Sequence, residues 1–322
     1  MLKLFKQGIA VQLVVILMVV LALWASAFVH PVTLSIPTQY SPIFNLAFGW
    51  TERFPMLASG IALILVLGEG LMLNEMLYNK GMVSQNTLLP MFIYVVLMSY
   101  GVESHTITPA LLVNLVLMIT LRQLMQTGQP NLSVARLTNT ALCVSIASMI
   151  YLPAAMLIVP LLTIMPIFKM YRWKDWMALL MGLANPYIIW ALYGFMTDSL
   201  DVQWSKLCSA FTEIDLSIQA STMEYVCSAI MLAIAIIMLI GGLSKTGNHT
   251  TIYKNNVLVL ELPMIASLLI LPYCGIVPVK IAWFATGITF AGATFFWDAK
   301  KRLWIYELML LVLLAATFIS TL

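Results

Sequence analysis

The chain has 322 residues, of which 62% are apolar and only 9% are Lys, Arg, Asp or Glu. Its mean hydropathy is +0.98. A soluble domain carries about a quarter of its residues as charges, so this composition argues against a water-soluble enzyme, a nucleic-acid binder and a disordered chain. It implies a protein that takes lipid as its main solvent. The net charge of +3, from 16 basic and 13 acidic residues, is too small and too dispersed to track a phosphate backbone, so no nucleic-acid partner is expected.

Lys3 and Lys6 precede an apolar run from Gly8 to about Val29. That run is too long for the apolar part of a secretory signal and reads as a retained signal-anchor helix. A crossing needs about 20 mostly apolar residues. On that measure eleven candidates follow, near 8–29, 55–77, 87–102, 108–122, 138–152, 154–169, 176–197, 223–243, 256–273, 279–297 and 304–321. The third to fifth are short and include Pro109, Asn114 and Asn139, so ten or twelve crossings are also compatible with the pattern. The Tyr151-Leu152-Pro153 step divides an apolar stretch too long for one helix and predicts a tight exterior hairpin. The expected architecture is all-α, a polytopic transmembrane helix bundle forming one domain over 1–322, with the N-terminus in the cytoplasm.

Basic residues give an independent reading, because cytoplasmic connections collect Lys and Arg. With the N-terminus inside, thirteen of the sixteen fall on the cytoplasmic side, and only Arg53, Lys206 and Lys280 fall outside. Two exterior segments are long enough to fold on the membrane surface. Residues 30–54 suggest an extended piece followed by an interfacial helix. Residues 198–222 carry an amphipathic pattern expected to lie flat on the outer leaflet.

An ionisable group in hydrocarbon is costly and asks for a partner or a task. Glu69 stands out, flanked by Gly68 and Gly70 near the middle of the second candidate. It reads either as a proton-coupled or substrate-contacting carboxylate or as a hydrogen-bonded packing device. Asn74 and Glu75 follow toward the cytoplasmic end, and Glu261 lies about a turn inside the ninth candidate, where pairing with a cationic residue or snorkelling is the simplest account. Asn185-Pro186-Tyr187 is expected to break the seventh helix near its middle. His105 belongs to a predicted exterior loop and reads as a solvated histidine. Cys143, Cys208, Cys227 and Cys274 lack metal-binding spacing, so neither metal nor cofactor is expected.

Asn114 to Met118 leading to Leu121-Arg122-Gln123, then Ala141 to Pro153, Arg172 to Trp176, and Gly182 to Tyr187, together with Gly70 to Lys80, form a recurring pattern. It resembles an uncharacterised family of bacterial multi-span inner-membrane envelope proteins over about the first two thirds of the chain. The stretch from Ala110 to Phe195 is also similar, more distantly, to the membrane part of lipid-linked-sugar glycosyltransferases. Those enzymes place an acid in the first exterior loop, whereas here residues 30–51 contain no Asp or Glu and Glu52 is followed at once by Arg53.

Three functional expectations follow. The first is a non-enzymatic integral inner-membrane subunit or scaffold of a bacterial cell-envelope or secretion complex, with membrane lipids and other membrane proteins as partners. It fits the absence of a nucleotide-binding motif and the scarcity of buried charge. The second is a glycosyltransferase-like enzyme or handler of polyprenol-linked glycans, with Glu52, Arg53, His105, Asp198 and Asp201 as its site. The third is a proton-coupled transporter centred on Glu69 and Asn185, with Asn74, Glu75, Asn114 and Glu261 as further polar groups within the bundle.

Overall fold

The structure, a computed structural model, describes residues 5, 8–31, 43–83, 87–125, 134–212, 222–244, 253–261, 277–297 and 303–321. Every described element of regular structure is helical. In chain order the helices are α1 (Ile9–Val29), α2 (Phe44–Phe48), α3 (Pro55–Asn79), α4 (Leu89–Met98), α5 (Pro109–Met125), α6 (Val134–Ile150), α7 (Ile158–Ile167), α8 (Trp173–Met196), α9 (Leu200–Thr212), α10 (Thr222–Ser244), α11 (253–261), α12 (Val277–Trp297) and α13 (Leu303–Thr321). Short 3-10 turns occupy Gly49–Glu52, Val102–His105 and Leu152–Leu157.

Among the described residues four helices are long and apolar enough to cross a membrane: α1, α3, α8 and the Trp304–Thr321 part of α13. The third expected crossing, 87–102, is not a full-length helix. Its helical part, α4, has 10 residues, about 15 Å at 1.5 Å per residue, or half of a hydrocarbon layer about 30 Å thick. At the expected hairpin the chain leaves α6 at Tyr151 and enters a 3-10 segment with Pro153 in its first turn and Leu152, Pro153, Ala154 and Leu157 buried, which leads into α7. Of the two expected surface segments, 32–42 and 213–221 lie outside the described residues. The remainder is helical, as α2 with its 3-10 turn and as α9.

All ten residues of α4 are buried. It packs against α1, α3, α12 and α13, while α5 joins α3 to α6 and α6 carries α8 on its far side. Small residues set the closest approaches. A Cβ on Gly70 would stand 3.1 Å from the Met91 side chain, so α3 and α4 meet nearly backbone to side chain. On α8, a Cβ on Gly182 would stand 2.5 Å from the Thr138 carbonyl and 2.7 Å from the Ala141 Cβ. Helix α8 starts where Asp175 accepts the Arg172 backbone N–H at 3.1 Å, the reciprocal half of a capping box.

Pro186 does not break α8, which runs unbroken through it. Proline withholds an N–H from the preceding turn. In that turn the Leu183 carbonyl accepts the Ser145 hydroxyl at 2.8 Å, and the Tyr187 hydroxyl meets Ser148 at 2.7 Å. Side-chain hydroxyls on α6 therefore steady the loosened turn.

Replacing Gly182 by leucine forces α6 and α8 apart, and overpacking of this kind costs about 1–3 kcal/mol. The expected result is a lower melting temperature in detergent for Gly182→Leu than for Gly68→Leu, since Gly68 faces open space. Equal melting temperatures would show that the α6–α8 contact carries no stability.

Candidate functional site

A helix end normally leaves backbone N–H and C=O groups unpaired, and inside a protein each needs a partner. Helix α4 has both ends inside the bundle, and α1 serves both. At the N-terminal end the Gln12 side-chain oxygen accepts the Leu88 N–H at 2.6 Å, the Thr87 hydroxyl accepts the Leu89 N–H at 3.3 Å, and Pro90 has no N–H to satisfy. At the C-terminal end the Ser99 hydroxyl donates to the Val95 carbonyl at 2.7 Å and accepts the Trp24 indole N–H at 2.9 Å. Gln12 and Trp24 lie roughly 18 Å apart along α1 and Leu88 and Ser99 roughly 16 Å apart along α4, by helical rise. The two contacts therefore fit parallel neighbours in register.

Beyond Ser99 the chain turns back within the bundle. Gly101 adopts φ +79°, which glycine takes without penalty, and its N–H reaches the Ser320 hydroxyl on α13 at 3.1 Å. Ser104 caps the turn through its hydroxyl on the Gly101 carbonyl at 2.6 Å. Thr108 then starts α5, accepting the Leu111 N–H at 3.2 Å with Pro109 in the first helical position.

His105 lies in this enclosed turn, 2% exposed, with its ring 4.6 Å from that of Trp24. This corrects the expectation of a solvated loop histidine. The spacing of Glu103-Ser104-His105 looks like a surface loop because it is polar, but the polarity serves a turn enclosed by helices. Neither ring nitrogen meets hydrogen-bond geometry with a partner. Burial pulls the imidazole down to about 4, with the nearby Ser99 backbone opposing more weakly.

In the middle of α4, Tyr94 donates its hydroxyl proton to Glu69 Oε2 at 2.5 Å. Glu69 sits on the buried face of α3 with Ala62, Val66 and Leu73, is 0% exposed, and its second oxygen has no partner. Sequence reasoning singled out Glu69 but missed Tyr94, Gln12 and Trp24. A tyrosine at the centre of an apolar ten-residue run was the available signal, since its hydroxyl must find an acceptor when buried.

The remaining candidates separate. Asn114 is buried on α5 and donates to the Ala282 carbonyl at 2.8 Å, tying α5 to α12, while its own oxygen has no partner. Glu75, expected within the bundle, is instead half-exposed and pairs with Arg122 at 3.3 Å. Asn79 also donates to it at 3.4 Å. Asn74 on the same helix is half-buried. At this end of α3, burial and then the positive charge of Arg136 hold Lys80 below the ordinary lysine range. Glu261 ends the described part of α11, 7% exposed, and its Oε1 has no hydrogen-bond partner among the described residues, while Lys245, Lys300, Lys301 and Arg302 lie outside them.

Asn185 is exposed on α8. The five glycan-site candidates do not form one surface. His105 is enclosed, while Glu52 and Arg53 are exposed before α3 and Asp201 is exposed in the first turn of α9. Asp198 adopts φ +50° in the turn between α8 and α9, a left-handed position that ends a helix. Among the described residues no group of three or more His, Cys, Asp or Glu is placed to hold a metal ion.

Gln12→Met keeps side-chain length but leaves the Leu88 N–H without its acceptor, a loss of about 1–3 kcal/mol. It is expected to lower the melting temperature in detergent, and a variant as stable as the wild type would show that α1 does not cap α4. For His105 the unfolded imidazole titrates near its ordinary value of 6.5 and the native one near 4. The unfolded chain therefore binds the extra proton in that window. Stability is full above about pH 6.5 and falls as pH drops toward 4, by up to about 3 kcal/mol. His105→Leu should flatten this part of a stability-against-pH curve, and an unchanged curve would place the acid sensitivity elsewhere.

Comparison of the chain with family models, with curated proteins and with solved structures finds no match.

Proposed function

We propose that the chain is a non-enzymatic integral subunit or scaffold of a bacterial inner-membrane envelope or secretion complex, crossing the bilayer many times with its basic connections in the cytoplasm. One observation carries this reading, namely where polar groups go. Inside the bundle they hold helices to one another, as Gln12 holds Leu88, Trp24 holds Ser99, Tyr94 holds Glu69 and Asn114 holds Ala282. On the outside, α8 presents large apolar side chains and an exposed Asn185, with no residue buried between Leu183 and Tyr193. A face of that kind suits contact with other membrane helices.

A second reading, proton-coupled transport, draws on Glu69. Its Oε2 is bonded to Tyr94 on a half-length helix while its Oε1 has no partner, and discontinuous helices form the substrate and ion sites of many transporters. Glu69 is nevertheless wholly enclosed and already bonded to Tyr94, which a packing role explains.

Purification of the tagged chain from native membranes in mild detergent tests the first reading. It should migrate with a reproducible companion protein in fixed ratio, and recovery without one would overturn the subunit assignment. Glu69→Gln serves the alternative in the same preparation. Companion binding should survive it, because glutamine keeps an acceptor for Tyr94, whereas a loss of proton-linked uptake without loss of folding would favour transport.

A further inference from the structure

Four helices close a ring in the bundle, since α3 packs on α4, α4 on α12, α12 on α5 and α5 back on α3. Each contributes one buried polar side chain, Glu69 from α3, Tyr94 from α4, Thr286 from α12 and Asn114 from α5, and none is more than 1% exposed. Asn114 fixes their relative heights. Its amide nitrogen donates to the Ala282 carbonyl and lies 3.6 Å from the Met98 sulfur. Met98 is one turn beyond Tyr94 on the same face of α4, and Ala282 is one turn before Thr286 on the same face of α12. The two helices run antiparallel, because a Cβ on Gly292, farther along α12, would stand 3.3 Å from the Ile93 side chain. Thr286 therefore stands near the level of Tyr94 and the Glu69 carboxyl, about one turn from Asn114.

Three oxygens in this layer have no hydrogen-bond partner: Glu69 Oε1, Asn114 Oδ1 and Thr286 Oγ1. They complement one another only if one of them brings a proton. A carboxylate and an amide carbonyl both accept, whereas a carboxylic acid donates, and a hydroxyl accepts and donates at once. An ionised Glu69 would have Tyr94 as its donor in a place where an unpaired charge is costly. The elements around α3 supply no counter-charge at this level. Helix α1 has no ionisable residue, Arg122 of α5 is on Glu75, and the Gly49–Glu52 turn carries only the exposed Glu52. The Val102–His105 turn brings Glu103 and His105, and α12 has Lys280 alone, in its first turn.

The surroundings of the layer are one-sided. Toward the N-terminal end of α4 the ring is filled by Leu73, Met76, Met91, Leu117 and Leu121, all buried. Thr289, three residues beyond Thr286, closes its hydroxyl onto the Ala285 carbonyl at 2.6 Å. Toward the other end comes Asn114, and then the Val102–His105 turn packed on α12 and α3. There both His105 ring nitrogens and the buried Ser59 hydroxyl of α3 lack partners. Buried polar atoms without a protein partner are the usual anchors of internal water.

We infer that Glu69 is a proton-binding site reached from one side, through water held by Thr286 and Asn114 and entering at the turn that carries His105. With the N-terminus in the cytoplasm, that turn faces the exterior. The proton on Glu69 Oε1 passes to the adjoining water, which releases one of its own toward Asn114, and a proton returning from the turn restores the acid. Thr286 and Asn114 are positioning residues that hold this water. The inference goes beyond the subunit role and requires neither a companion protein nor a transport cycle.

The test is infrared spectroscopy of the full-length chain in lipid, read at the C=O band of a protonated carboxylic acid. At neutral pH the wild type should show a band that Glu69→Gln removes. Transfer into D2O should shift that band as deuterium replaces the proton, and Thr286→Val should slow the shift about tenfold, the worth of one lost hydrogen bond. Thr289→Val removes an equal hydroxyl from the other side of the layer and should leave the rate unchanged. Asn114→Leu should also slow the exchange. Because it unties α5 from α12 as well, Thr286→Val decides the outcome if that variant fails to fold.

A spectrum with no band lost in Glu69→Gln shows an ionised Glu69 and overturns the site. A band that never shifts in D2O overturns it too, since the acid is then a sealed packing group. Exchange that is unaffected by Thr286→Val, or slowed as much by Thr289→Val, overturns the route.

Discussion

A short helix buried on every side can exist only if the protein satisfies its ends. Helix α4 ends at a half-buried Leu88 and a buried Ser99, and its terminal N–H and C=O groups are met by side chains, including two from a neighbouring helix. The first helix does most of this, with an amide at one end and an indole at the other, spaced to match α4 along the bundle. Once α4 is fixed, the side chains around it follow. Tyr94 is held against α3 and finds Glu69, Ser99 finds Trp24, and the turn that follows must be polar within and closed without. The polar residues of this region are thus consequences of placing half a helix in the centre.

That constraint also bears on function. A carboxylic acid inside an apolar bundle invites a catalytic or transport reading, but Glu69 has a partner whose own hydroxyl would otherwise be stranded. Packing accounts for one oxygen of Glu69 and for the amide nitrogen of Asn114, while the second oxygen of Glu69, the side-chain oxygen of Asn114 and both ring nitrogens of His105 stay without a hydrogen-bond partner inside the bundle. Of the residues considered for glycan chemistry, His105 is enclosed, Asp198 takes the left-handed position of the α8–α9 turn, and Glu52 and Asp201 are exposed on separate elements.

Much of the fold was legible in the sequence because apolar length is a strong signal. The long runs became α1, α3 and α8 with boundaries close to those read from hydropathy. Glu69 was legible because a single acid between glycines is conspicuous. What failed was the reading of short polar stretches. Residues 103–107 look like an exterior loop, since sequence does not distinguish polarity that faces water from polarity that caps a buried turn. Asn185-Pro186 looks like a helix break, since the hydroxyls that steady it come from α6, some forty residues earlier in the chain. Glu75 looks interior by its position in an apolar run, yet it ends at the surface because α5 delivers Arg122 beside it. Tertiary partners decided each case, and none of them is local in sequence.

The bond from Gly101 to Ser320 joins positions 219 residues apart. During synthesis on a ribosome α1 is available long before α4 is made, so the inner brace can form as soon as the hairpin enters the membrane. The latch on the turn belongs to α13. Until α13 has been made, the backbone at Gly101 must rely on a provisional acceptor such as water or an insertion factor. A variant in which α13 cannot dock would therefore carry its defect at the turn inside the bundle, far along the chain from the altered residues.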